Sequence, residues 1–127
     1  MARRLKDQHI IIVEDDPLVS DALVEYFKPQ NKVEAFITAE AALEAKAGFS
    51  TVNVFIIDYH LPGMNGVDLF LLLQNDFKAA RYILITGDMS YELADSTRQL
   101  GLDALILKPF DFSILEDNIS TLTSAAA

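Results

Sequence analysis

The chain has 127 residues, 51% of them hydrophobic and 23% charged, with a mean hydropathy of +0.23. That size and composition fit one domain with a substantial core and exclude a disordered polar tail. With 19 acidic against 10 basic residues and a net charge of -9, a free-standing nucleic-acid binder is disfavoured, and a cation site or a basic partner is favoured.

There is no cysteine. Disulfides, a thiol nucleophile and thiolate metal sites are therefore excluded. The basic start through Lys6 is followed by no long apolar run, which argues against a signal peptide. No apolar stretch reaches the roughly 18 residues of a membrane span. A cytoplasmic location without membrane contact is expected.

Strand and helix signals alternate along the chain. His9 to Val13 is a β-branched run, as expected for a strand buried on both faces, and Glu14-Asp15-Asp16 stops it. His9 itself is expected to be exposed. Asp16 and Pro17 predict an N-cap and first turn, and Leu18, Val19, Ala22, Leu23 and Tyr26 give the helix an apolar face. Lys32 to Phe36 reads as a weaker strand. Thr38 caps a predicted helix over 39–47, ended by Gly48.

Val52 to Ile57 is a strongly apolar strand closed by Asp58. The turn-rich stretch His60 to Gly66 leads to a helix over 67–74, where the run Leu69 to Leu73 predicts deep burial. Tyr82 to Ile85 is a strand closed by Thr86, followed by a polar helix over 90–100. Ala104 to Leu107 is the last strand, closed by Lys108-Pro109. Asp111 can cap a final helix with Phe112, Leu115, Ile119 and Leu122 on one face. Alternation of this kind predicts an α/β fold, a parallel sheet with helices on both faces. The expected domain spans 9–122, with tails at 1–8 and 123–127.

In open parallel sheets, ligands bind beyond the carboxyl ends of the strands. Here those ends carry Glu14 and Asp15, Asp58, Thr86 and Lys108. Two carboxylates ~4 Å apart repel by on the order of 4 kcal/mol at an effective dielectric of ~20. Lys108 offsets part of that repulsion. An all-oxygen donor set suits a hard divalent ion, Mg²⁺ above all. A carboxylate beside Mg²⁺ and a lysine is a plausible nucleophile toward phosphorus, giving an acyl phosphate.

These segments resemble the receiver domains of bacterial two-component response regulators. The resemblance is carried by four stretches in order: Ile11-Ile12-Val13-Glu14-Asp15-Asp16-Pro17, Ile56-Ile57-Asp58-Tyr59-His60-Leu61-Pro62-Gly63-Met64-Asn65-Gly66, Leu84-Ile85-Thr86-Gly87 and Leu107-Lys108-Pro109-Phe110. It implies a flavodoxin-like (βα)5 fold with strand order 2-1-3-4-5. It implies that Asp58 is the phospho-acceptor, that Glu14, Asp15, Asp58 and the His60 backbone carbonyl hold Mg²⁺, and that Thr86 and Lys108 contact the phosphoryl group. It also implies a cis Lys108-Pro109 bond. The implied partners are a sensor histidine kinase or histidine phosphotransfer protein, with an output domain or a second copy receiving the signal.

One position departs from the family pattern. Leu105 stands three residues before the lysine, where receivers commonly carry Tyr or Phe. That departure supports an alternative, a pseudo-receiver binding module whose acidic pocket is not used for phosphorylation. A third reading, a Mg²⁺-dependent phosphohydrolase, finds only His60 in the general-base position and no cap domain.

Overall fold

The computed structural model describes residues 4–87 and 91–125. Five strands, β1 (His9–Val13), β2 (Lys32–Phe36), β3 (Val54–Asp58), β4 (Arg81–Thr86) and β5 (Ala104–Leu107), form one parallel sheet in the order β2-β1-β3-β4-β5. Between and after them run α1 (Pro17–Phe27), α2 (Ala39–Ala45), α3 (Gly66–Leu73), α4 (Tyr91–Leu100) and α5 (Phe112–Ala125). This is the expected doubly wound architecture, in the expected strand order.

Strand side chains alternate between two cores. Ile11, Val13, Phe55, Ile57, Tyr82 and Leu84 meet Ala39 and Ala42 of α2 and Leu69, Phe70 and Leu73 of α3 on one face. Ile10, Ile12, Val54, Ile56, Ile83 and Ile85 meet Leu23 and Phe27 of α1 and Leu115 and Ile119 of α5 on the other. Covering both faces is what lets the central strands be apolar at every position.

Several boundaries differ from the sequence expectation. β3 begins at Val54 rather than Val52 and includes Asp58, because that residue still pairs in register with Ile85. β4 includes both Arg81 and Thr86. α2 ends at Ala45 and tightens into a 3-10 turn over Lys46–Gly48. The expected start of α4 at Ser90 lies outside the described residues. In α3 the run of apolar side chains is divided. Leu69, Phe70 and Leu73 are buried, whereas Leu71 and Leu72 are exposed, since an eight-residue helix against a sheet buries only one arc.

The buried arc of α1 is Ser20, Leu23 and Phe27. Leu18, expected on the inner face, is 81% exposed. At the amino end, residues 4–8 are fastened to the domain rather than free. Leu5 is buried, its N–H donates to Glu116 Oε2 at 2.7 Å, and Asn31 Nδ2 donates to its carbonyl at 3.1 Å. His9 is buried, because Thr51 and Glu34 enclose its ring. At the other end α5 runs to Ala125, beyond the expected limit at 122. The first three residues and the last two lie outside the described residues.

Caps fix where the helices start. Asp16 accepts from the Leu18 N–H at 3.0 Å, Thr38 Oγ1 from the Ala41 N–H at 3.0 Å, and Asn65 Oδ1 from the Asp68 N–H at 2.9 Å. The Asn65 cap starts α3 at Gly66, one residue earlier than expected. A Cβ on Gly66 would lie 2.4 Å from the Asp58 carbonyl oxygen and 2.9 Å from Leu84 Cδ1. Gly66→Ala therefore forces backbone apart and should lower stability by about 1–3 kcal/mol in urea unfolding. Gly48→Ala, with nothing within 4 Å, is the control and should change stability little.

Asp111 begins α5. Its Oδ1 accepts from the Ser113 hydroxyl at 2.6 Å and the Ser113 N–H at 2.8 Å, and these bonds hold its carboxyl below the ordinary 3.8. A folded carboxyl held low adds stability above its unfolded value and loses it as pH falls through the folded one. Asp111→Ala should therefore lower the thermal midpoint at pH 7, and the gap from the parent should close on acidification well below 3.8.

Candidate functional site: an acidic cluster at the carboxyl edge of the sheet

Parallel strands deliver their last residues to one edge. Glu14 and Asp15 follow β1, and Asp58 ends β3, the next strand in the sheet. One carboxylate oxygen from each of Glu14, Asp15 and Asp58 lies within 4.8 Å of the others. Glu14 and Asp58 are buried, whereas Asp15 is exposed.

Lys108 reaches this cluster from the end of β5. Its Nζ lies 2.6 Å from Glu14 Oε1 and donates to Asp58 Oδ2 at 3.1 Å. The Lys108-Pro109 bond that follows is cis. Asp58 Oδ1 accepts from the His60 N–H at 3.2 Å, and Glu14 Oε2 from the Asp16 N–H at 3.1 Å. Thr86 is buried at the end of β4, one residue past the register partner of Asp58, and its carbonyl accepts the Lys108 N–H at 2.7 Å. The structure thus brings Glu14, Asp15, Asp58 and Lys108 together. Thr86 and His60 stand on the flanking segments.

The electrostatics follow from burial. Burial first, and then the adjacent Asp58 carboxyl, push the Glu14 carboxyl up to about 7, against the opposing pull of Lys108 and the Asp16 N–H. For Lys108, burial works to lower the ammonium, but Glu14 and Asp58 outweigh it and hold it above the usual lysine range. Three carboxylates face one ammonium. Glu14 Oε1 is buried and has no hydrogen bond besides its ion pair with Lys108. An all-oxygen donor set, in excess of its own cation, fits a hard divalent ion.

Residues 10–120 match the model of the response regulator receiver domain. The chain belongs to that family. It is 29% identical over 114 residues to the two-component response regulator PhoP of Pseudomonas aeruginosa, a match covering 89% of this chain and 50% of that protein. It is 29% identical over 112 residues to the transcriptional regulatory protein CrdR of Helicobacter pylori, covering 87% of this chain and 52% of that one. The receiver chain thus spans about half the length of these relatives. Among solved structures, a CheY-like receiver domain protein from Methanospirillum hungatei superposes with a TM-score of 0.87 at 25% identity, covering 95% of this chain and 97% of that one. Among the described residues no helix is long and apolar enough to cross a membrane.

Sequence reasoning missed a feature beside the receiver's acidic cluster. Leu18, Val19 and Ala22 of α1 and Pro109, Phe110 and Phe112 line an apolar recess of about 490 Å³ that reaches Lys108. The sequence carried no signal for it, since Leu18 is of the same residue type as the buried Leu23 and only the structure shows it outside the buried arc of α1. Leu105 pairs with Leu84 and packs, partly buried, against the core on the α2–α3 face.

A neutral side chain of the same shape at position 14 removes one buried like charge. Glu14→Gln should therefore raise stability at pH 8 without divalent ions, by about 1–3 kcal/mol in urea unfolding. A loss of stability would show that the Glu14–Lys108 pair outweighs the repulsion.

Proposed function

We propose that this receiver accepts a phosphoryl group on Asp58 from a phosphohistidine donor in a Mg²⁺-dependent reaction and then changes conformation to regulate a partner. The observation that carries the reading is the convergence of Glu14, Asp15 and Lys108 on the Asp58 carboxylate. Glu14, Asp15 and Asp58 would hold Mg²⁺, together with the His60 backbone carbonyl. When bound, the ion supplies positive charge to the transferring phosphoryl oxygens.

The chain's own residues do the rest. An Asp58 carboxylate oxygen attacks phosphorus in line with the leaving imidazole nitrogen, so that a P–O bond forms as the P–N bond breaks. The Lys108 ammonium, already at Asp58 Oδ2, is poised to pair with a phosphoryl oxygen. The Thr86 hydroxyl donates to another. Movement of these two groups, at the ends of β4 and β5, shifts the neighbouring loops and α4 between two populations.

The apolar recess beside Lys108 supports a protein donor. An exposed leucine, a proline and two phenylalanines next to the acceptor suit the apolar face of a helix. A sensor histidine kinase or histidine phosphotransfer protein of the cytoplasm is the proposed donor. An output domain or a second copy of the chain is the proposed recipient of the signal.

Leu105 favours a second reading, a binding module whose pocket goes unphosphorylated, because a partly buried aliphatic packed against the core replaces the aromatic of the family pattern. Incubation with Mg²⁺ and acetyl phosphate or phosphoramidate, followed by intact-protein mass spectrometry, separates the two. The parent should gain one phosphoryl group, Asp58→Asn should gain none, and chelation of Mg²⁺ should stop labelling. An unmodified parent, or equal labelling of the variant, rules out Asp58 as acceptor.

A further inference from the structure

Two recesses at the amino edge of the sheet are lined mainly by polar and charged side chains, whereas the one beside the acceptor is apolar but for one residue. That residue is Lys108. It lines the recess and also donates to Asp58 Oδ2 at 3.1 Å, so a single side chain belongs to both sites. A small molecule reaching from one to the other must be anionic at one end and apolar at the other. We propose that the recess selects among small phosphodonors and favours alkanoyl phosphates whose chain is long enough to enter it.

The walls suit such a chain. Phe110 and Phe112 pack against the core between the sheet and the α1–α5 layer, with ring centroids 5.6 Å apart, and Phe112 also meets the Tyr26 ring at 5.3 Å. Leu18, from α1, is 81% exposed, so a methylene entering the recess withdraws both itself and the leucine from water. At about 490 Å³ the recess falls within the range of small-molecule sites. A two-carbon acyl group, ending close to the acceptor, leaves that surface wet.

The inference rests on Asp58 as phospho-acceptor. In the transfer, a lone pair of an Asp58 oxygen forms the new P–O bond. The bond from phosphorus to the acyl oxygen breaks, and its electron pair leaves with the alkanoate. No proton, oxidant or further reactant is consumed. Lys108 pairs with the phosphoryl oxygens while the alkyl chain rests on Leu18, Phe110 and Phe112. Lengthening the chain leaves the basicity of the departing carboxylate nearly unchanged. A rate that climbs with length therefore reports the recess rather than the chemistry.

In the test, the full chain with Mg²⁺ is incubated with acetyl, butyryl or hexanoyl phosphate, each well below saturation, and labelling is followed by intact-protein mass spectrometry. The second-order rate constant should rise by about tenfold from acetyl to hexanoyl, the gain expected when the four added methylenes are half withdrawn from water. Leu18→Gln should cut that ratio by about threefold, whereas Leu72→Gln, exposed on α3, should keep it. A second readout needs no transfer. Hexylphosphonate, with the same ion, should give nuclear Overhauser contacts between its terminal methyl and the Leu18 and Phe110 side chains. Equal rates along the series, or the same ratio in Leu18→Gln, overturn the recess as a selector, and so does the absence of those contacts. Contacts without any labelling of the parent overturn Asp58 as acceptor instead, and the selectivity of transfer falls with it.

Discussion

Glu14 and Asp58 are buried side by side, and Lys108 is what bridges them. Its ammonium meets both carboxylates, at 2.6 and 3.1 Å. Without that contact two desolvated like charges would face each other at the edge of an apolar sheet. The fold brings the cation from the far side of the sheet, since β5 is an edge strand separated from β3 by β4. The lysine side chain must therefore reach across the end of β4. It does so from a point where the Lys108 N–H is pinned to the Thr86 carbonyl. The site is a product of parallel topology: only strands running the same way place their last residues on one edge.

Much of this was legible in the sequence, because the signals were local and mutually consistent. Apolar runs of four to six residues, each closed by a charged or hydroxyl side chain, marked four strand ends. The caps Asp16 and Thr38 were visible because a short polar side chain before a helical pattern has few other uses. Asp58, Glu14 and Lys108 could be read together because each ends an apolar strand. The family resemblance then ordered them, and residues 10–120 match its model.

What failed to show was whatever depends on contacts between distant segments. Leu18 and Leu23 are indistinguishable by residue type, yet the latter is fully buried and the former lies open beside Pro109 and Phe110. Only the placement of the β5–α5 loop decides between them. His9 was read as an exposed leader because nothing near it in sequence encloses it. Its partners come from residues 34, 51 and 53. Gly66 gave a turn signal, but its need to be glycine comes from the Asp58 carbonyl against which it packs.

The fastening of the amino end has a mechanical meaning. Glu116 sits in the second turn of α5, and its two oxygens take the Leu5 N–H and the Tyr26 hydroxyl, each at 2.7 Å. One side chain thus rivets the leading segment and the first helix to the last helix. A pull applied ahead of Leu5 would load α5 directly, with no need to pass through the strands. The leading segment at Leu5 and the last helix at Glu116 are thus neighbours in force as well as in space.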